Sequence, residues 1–156
     1  MWIVTLVASA LAVLIATQGA LFSWRPGQSE RAQKAERERV VAFLFASDSY
    51  ATGVPATGTS VTTSVVIRNS GFVPPGAKNS LDSGWNFVRN ASGEWAGCVT
   101  ASSTTLSNVA STLLPFSQVT PTFKITRTVA SGAVSAVIST SGADTTKLAA
   151  LETLCP

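Results

Sequence analysis

Apolar residues dominate the chain from Met1 to Phe22, after which apolar and polar positions alternate on the shorter periods of a folded domain. The opening stretch Met1–Trp24, MWIVTLVASALAVLIATQGALFSW, contains no Asp, Glu, Lys, Arg or His. As a helix, residues 1–22 would rise roughly 33 Å at ~1.5 Å per residue, enough for a hydrocarbon core of ~30 Å. The expectation is a single transmembrane anchor over residues 1–24, with Trp2 and Trp24 at the two membrane interfaces where indoles partition. A cleaved signal, cut before Ala20 after the small residues Thr17 and Gly19, is the alternative. The start lacks the basic n-region that such a signal uses.

Pro26-Gly27 predicts a break, since proline removes a donor and restricts the residue before it. A helical pattern resumes over Gln28–Ala46, with Ser29 as N-cap and Ala32, Ala35, Val40, Phe43 and Leu44 on one stripe. Residues 25–46 therefore read as an extension helix, and residues 47–156 as a folded domain. Ser47–Ser60 reads as a loop. Val61–Arg68, β-branched almost throughout, reads as a strand, and the Pro74-Pro75-Gly76 region as a long connection. Trp85–Asn90 and Glu94–Thr100 predict a hairpin around Ala91-Ser92-Gly93. In it Trp85, Phe87 and Arg89 share one face, as do Trp95, Gly97 and Val99, with Cys98 opposite. The two indoles read as cross-strand core packing, with an exposed aromatic patch as the alternative.

Ser103–Leu114 places Leu106, Val109, Ala110, Leu113 and Leu114 at helical spacing, and Pro115 stops it. Thr122–Ala130 alternates Phe123, Ile125 and Arg127 against Lys124, Thr126 and Thr128. It pairs with Ala133–Thr140 across Ser131-Gly132 as a second hairpin. Asp144 caps a final helix that turns Leu148, Leu151 and Leu154 inward. The order predicts an α+β fold with an antiparallel sheet.

Of the 156 residues, 132 follow Trp24 (156 minus 24), enough for one domain with a real core. Charged residues make up only 12%, about half the usual ~25%, and Thr, Ser, Ala, Val and Gly replace them. The net charge of +3 includes no basic block with interleaved aromatics, which argues against nucleic acid as a partner. Cys98 and Cys155 read as one disulfide in an oxidising compartment, with two buried thiols as the alternative. Orientation is contested. Arg25, Arg31, Lys34, Arg37 and Arg39 after the span favour a cytoplasmic domain, whereas the cysteine pair and the charge-poor, hydroxyl-rich domain favour the periplasm. The periplasmic side is the expectation.

Chemistry is sparse. The chain has no His, the commonest general base and metal ligand. Asp48, Asp82, Glu94, Asp144 and Glu152 fall in predicted loops and element ends, where turn and cap roles suffice. No nucleophile turn or phosphate loop is present. No catalytic, cofactor or metal residues are therefore assigned, and enzyme activity is not expected.

The opening MWIVTLVASALAVLIAT, the charged helix after it, the chain length and the Thr/Ser-rich remainder resemble the PilM family of enterobacterial thin (type IVB) pilus operons, found on conjugative plasmids of the IncI kind and related mobile islands. The resemblance implies an inner-membrane component of pilus assembly, in the basal body or in pilin transport. Such a protein acts in conjugation through contacts with other assembly proteins, with oligomerisation compatible and no cofactor. The layout is also similar to type IV pilins, through the apolar N-terminal helix, Pro26, the charged extension, the sheet and the pair Cys98/Cys155. That likeness implies, as the alternative, a minor pilin or pilus-tip subunit. Here no Gly-Phe cleavage site precedes the span and no Glu lies within it.

Overall fold

A computed structural model describes residues 2–73, 81–113 and 122–156, with backbone alone for 2–26 and 110–113. The chain divides into two compact units, Met1–Ala35 and Glu36–Pro156. The helix α1 (Trp2–Gly53) contributes to both.

In the first unit, helical backbone continues through Pro26-Gly27, where a break was expected. A proline deletes one N–H···O bond, but the backbone on either side of it is helical. Residues 27–35 are exposed. Among the residues with described side chains, no helix is long and apolar enough to cross a membrane. The expected anchor of residues 1–24, including Trp2 and Trp24, lies outside them.

The second unit is α+β. Its five strands are β1 (Ser60–Thr63), β2 (Asn86–Arg89), β3 (Trp95–Ala101), β4 (Thr122–Thr128) and β5 (Val134–Ser139). They form one sheet of order β1-β2-β3-β5-β4, with every neighbouring pair antiparallel. Both expected hairpins, β2-β3 and β4-β5, are present. Short helices α2 (Ser64–Asn69), α3 (Ser103–Leu113) and α4 (Thr145–Glu152) complete the unit.

One sheet face packs on α1, whose Val40, Phe43 and Leu44 meet Phe87, Trp95, Val99 and Ile138 in the main core, together with Leu106 and Val109 of α3. Trp85 and Trp95 are both buried, so they pack in the core. Their ring partners are phenylalanines: Trp85 lies 5.4 Å from Phe43, and Trp95 stacks on Phe87 at 5.7 Å. Gly97 is a site of close approach between α1 and the sheet. A Cβ there would lie 3.0 Å from Phe43 Cε1 and 3.1 Å from Leu44 Cδ2. The opposite face carries a smaller core, with Val88, Ala96 and Val137 under Leu148 and Leu151 of α4. The expected cap is in place, since Lys147 N–H donates to Asp144 Oδ1 at 2.8 Å. Leu154 packs against that core half-buried. The positions Ala110, Leu113 and Leu114 of the α3 stripe, and the expected connection at Pro74-Pro75-Gly76, lie outside the described side chains.

Two boundary expectations are corrected. Helix α1 runs to Gly53 and not to Ala46, because Ser47 is buried and Tyr50 and Ala51 pack against the main core. The predicted strand Val61–Arg68 splits after Thr63 into β1 and α2. Ser64 N–H donates to Trp85 O (2.9 Å) and Ser64 Oγ to Asp82 O (2.6 Å), which ends the ladder and leaves Ser64 and Ile67 buried on one helical face. Tertiary contacts here override a β-branched local preference.

Candidate functional site

Two polar clusters hold helices in place. The buried Arg89 reaches under the end of α1, where its Nη1 donates to Val54 O at 2.7 Å and Ala51 O at 3.3 Å, and its Nη2 to Pro55 O at 3.0 Å. These carbonyls belong to the last turn of α1 and the residues after it, where a cation is favoured by the helix dipole. Glu36 does the converse at the start of α3. Ser102 Oγ donates to its carboxylate at 2.7 Å, Ser102 N–H at 3.2 Å, and Thr105 Oγ1 also donates. Ser102 itself caps α3, accepting from Thr105 N–H at 3.2 Å. Partial burial works against ionisation of Glu36, but these donors and the nearby Arg39 outweigh it and hold its pKa below the ordinary glutamate value.

The disulfide Cys98–Cys155 is formed, with Cα atoms 5.9 Å apart and a sequence separation of 57. It ties the residue after α4 to the central strand β3. At the surface, Glu94 accepts from Lys147, which lowers the Glu94 pKa and raises that of Lys147.

Beside the disulfide, the α4-side face of the sheet is left partly open as a trough of about 240 Å³. Asn86, Cys98, Thr100 and Ser135 line it, together with Arg127 and Glu152. Register explains the gathering: Asn86 pairs with Cys98 and Thr100 with Ser135, so these side chains point to one face. Arg127 joins them through an irregularity. Ile125 pairs with Ala136 and Arg127 with Ser135, so β4 carries one extra residue between them. A bulge of this kind re-aims the following side chain. Strict alternation puts Arg127 with Phe123 and Ile125; the bulge moves it to the opposite face, over Ser135. There Arg127 Nε donates to Ser135 Oγ at 3.4 Å. Glu152 is already paired with Lys124 at 2.7 Å.

Of the residues singled out from the sequence, the trough contains Cys98 and Cys155. It misses the five scattered carboxylates except Glu152. Its other polar side chains, Asn86, Thr100, Thr126, Arg127 and Ser135, carry no motif. Among the described residues no group of His, Cys, Asp or Glu is arranged to hold a metal ion.

The second unit is thus a helix-on-sheet α+β domain, disulfide-closed at its C-terminal helix, with a polar trough beside the closure. Comparison with protein-family models, curated proteins and solved structures finds no match.

Proposed function

We propose that this protein is an inner-membrane component of type IV pilus assembly machinery, of the thin-pilus kind used in conjugation. It is held by residues 1–24 and presents residues 47–156 to the periplasm. Its work is done by contacts with other assembly proteins. The observation that carries this reading is α1, which begins within the charge-free stretch and ends as the core element of a disulfide-closed domain. A disulfide is the expected closure for a domain in an oxidising compartment.

The second reading is a minor pilin or pilus-tip subunit. Its support is the same helix packed on an antiparallel sheet, together with the C-terminal disulfide, which is the layout of type IV pilins. Fractionation with N-terminal sequencing separates the two. An intact Met1 in the inner-membrane fraction, absence from sheared pili, and loss of piliation on deletion support the assembly component. A shortened, methylated terminus in sheared pili supports the pilin. Unchanged piliation and conjugation after deletion would sink both.

A further inference from the structure

We propose that the trough beside the Cys98–Cys155 disulfide is the docking site for an acidic peptide segment of a partner protein, received by the guanidinium of Arg127. This deepens the reading above by naming the chemistry that the contact recognises, and it rests on that reading for the existence of a protein partner.

Charge carries the argument first. Arg127 donates through Nε to a neutral hydroxyl, Ser135 Oγ. Its two terminal nitrogens have no partner among the described residues, and it makes no ion pair there. Glu152, a carboxylate in the lining, is already committed to Lys124. Among the described residues, therefore, the guanidinium fork of Arg127 has no anionic partner, and its best match is the two oxygens of a carboxylate.

The rest of the lining adds direction. Asn86 Nδ2 donates to Gly84 O at 3.1 Å, which leaves its Oδ1 available to accept. Thr100 Oγ1 and Ser135 Oγ lie 3.4 Å apart and can each turn toward a ligand. Such a surface offers hydrogen bonds to peptide groups. Size narrows the choice further. At about 240 Å³ the trough is smaller than the ~300–1,000 Å³ typical of cofactor and drug-sized ligand sites. It suits one or two side chains of a chain lying across it. The bulge in β4 fits this use, because it is what brings Arg127 to this face.

The test uses the full chain, isotope-labelled, in neutral detergent micelles. The probe is a five-residue peptide containing two glutamates with both ends blocked, set against the same peptide with glutamines. The expected result is saturable shifts of the Cys98, Thr100, Arg127 and Ser135 amides. Binding of the glutamine peptide should be at least about tenfold weaker, as the loss of a charge-assisted hydrogen bond requires. Arg127→Ala should weaken the glutamate peptide by a similar factor and Arg127→Lys by less, and both should fold, since Arg127 is exposed. Equal binding of the two peptides, an unchanged affinity in Arg127→Ala, no shifts at millimolar peptide, or shifts confined to α1 would each overturn the proposal. Because the titration needs only purified protein, its failure leaves the assembly reading standing. Failure of the fractionation test, in turn, leaves the titration result intact.

Discussion

Truncating Arg89 to Ala removes the fork that closes the C-terminal end of α1. Two bonds are short, at 2.7 and 3.0 Å, and one is longer at 3.3 Å. Hydrogen bonds from a charged donor are worth roughly 1.5–3 kcal/mol each when measured singly, but they do not add fully. Pro55 is exposed and Ala51 and Val54 are half-buried, so water can replace part of what is lost. The guanidinium also covers the Phe87 ring at 5.8 Å, and Phe87 stacks on Trp95, so truncation opens space in the main core. Against these losses, a buried cation with no carboxylate partner among the described residues carries a desolvation cost that truncation relieves. The balance is a loss of about 3 kcal/mol. For a unit of this size each 1 kcal/mol corresponds to roughly 4 °C, so thermal unfolding of the full chain in detergent should drop by about 12 °C. Arg89→Lys keeps the charge but cannot span the carbonyls as a fork, and should lose about half as much. An Arg89→Ala midpoint within about 2 °C of the parent, or identical midpoints for Ala and Lys, would show that the fork does not hold the helix end.

Gly97→Ala places a methyl against Phe43 and Leu44, where α1 packs closely on β3. It should cost about 1–2 kcal/mol by overpacking, read as a lower urea midpoint with unchanged slope. Glu36 has a lowered folded-state pKa, so its stabilising contribution is present above the ordinary glutamate range and is lost as pH falls through that lowered value. Glu36→Gln should therefore flatten the acid limb of a stability–pH profile below about pH 4.5, and an unchanged limb would refute the assignment. Reducing the disulfide, or replacing Cys98 and Cys155 together by Ser, should cost up to about 4 kcal/mol on the chain-entropy estimate for a loop of 57 residues. In intact cells both thiols should resist alkylation until a reductant is added. Free reactivity would contradict the periplasmic placement.

What the sequence made legible follows the range of the interactions involved. The β2-β3 hairpin has its signal within five residues. Asn90 N–H donates to Glu94 O, Glu94 N–H to Asn90 Oδ1, and Gly93 takes the positive φ of +84° that the turn needs. The Asp144 cap and the Leu148/Leu151 face of α4 are equally local, and both were expected. The helix at Ser64–Asn69 was not, because the groups that turn the chain out of the ladder, Asp82 O and Trp85 O, lie about twenty residues away. Arg89 shows a partial case. Alternation placed it on the face of Trp85 and Phe87, but only the packed end of α1 and the residues after it supply the carbonyls, 34 to 38 residues distant, that make burial of the cation tolerable.

The trough is the extreme case, and the reason lies in a single extra residue. Thr100 and Ser135 are ordinary strand residues that a β3–β5 register brings face to face, and register is a long-range property. Arg127, read by strict alternation, belongs with Phe123 and Ile125 on the α1 side, where an unpartnered guanidinium would meet a largely apolar surface. The bulge after Ile125 reverses its side. It is therefore coupled to the charge pattern of the whole face: with it, Arg127 stands among hydroxyls near the disulfide, and Lys124, on the same face, neutralises Glu152. Without the bulge, Thr126 would pair with Ser135 and Arg127 with Val134, which would put Arg127 on the face of Phe123 and Ile125 and remove the guanidinium from the trough. The bulge, more than any one side chain, is what makes this part of the sheet a candidate for recognising another molecule.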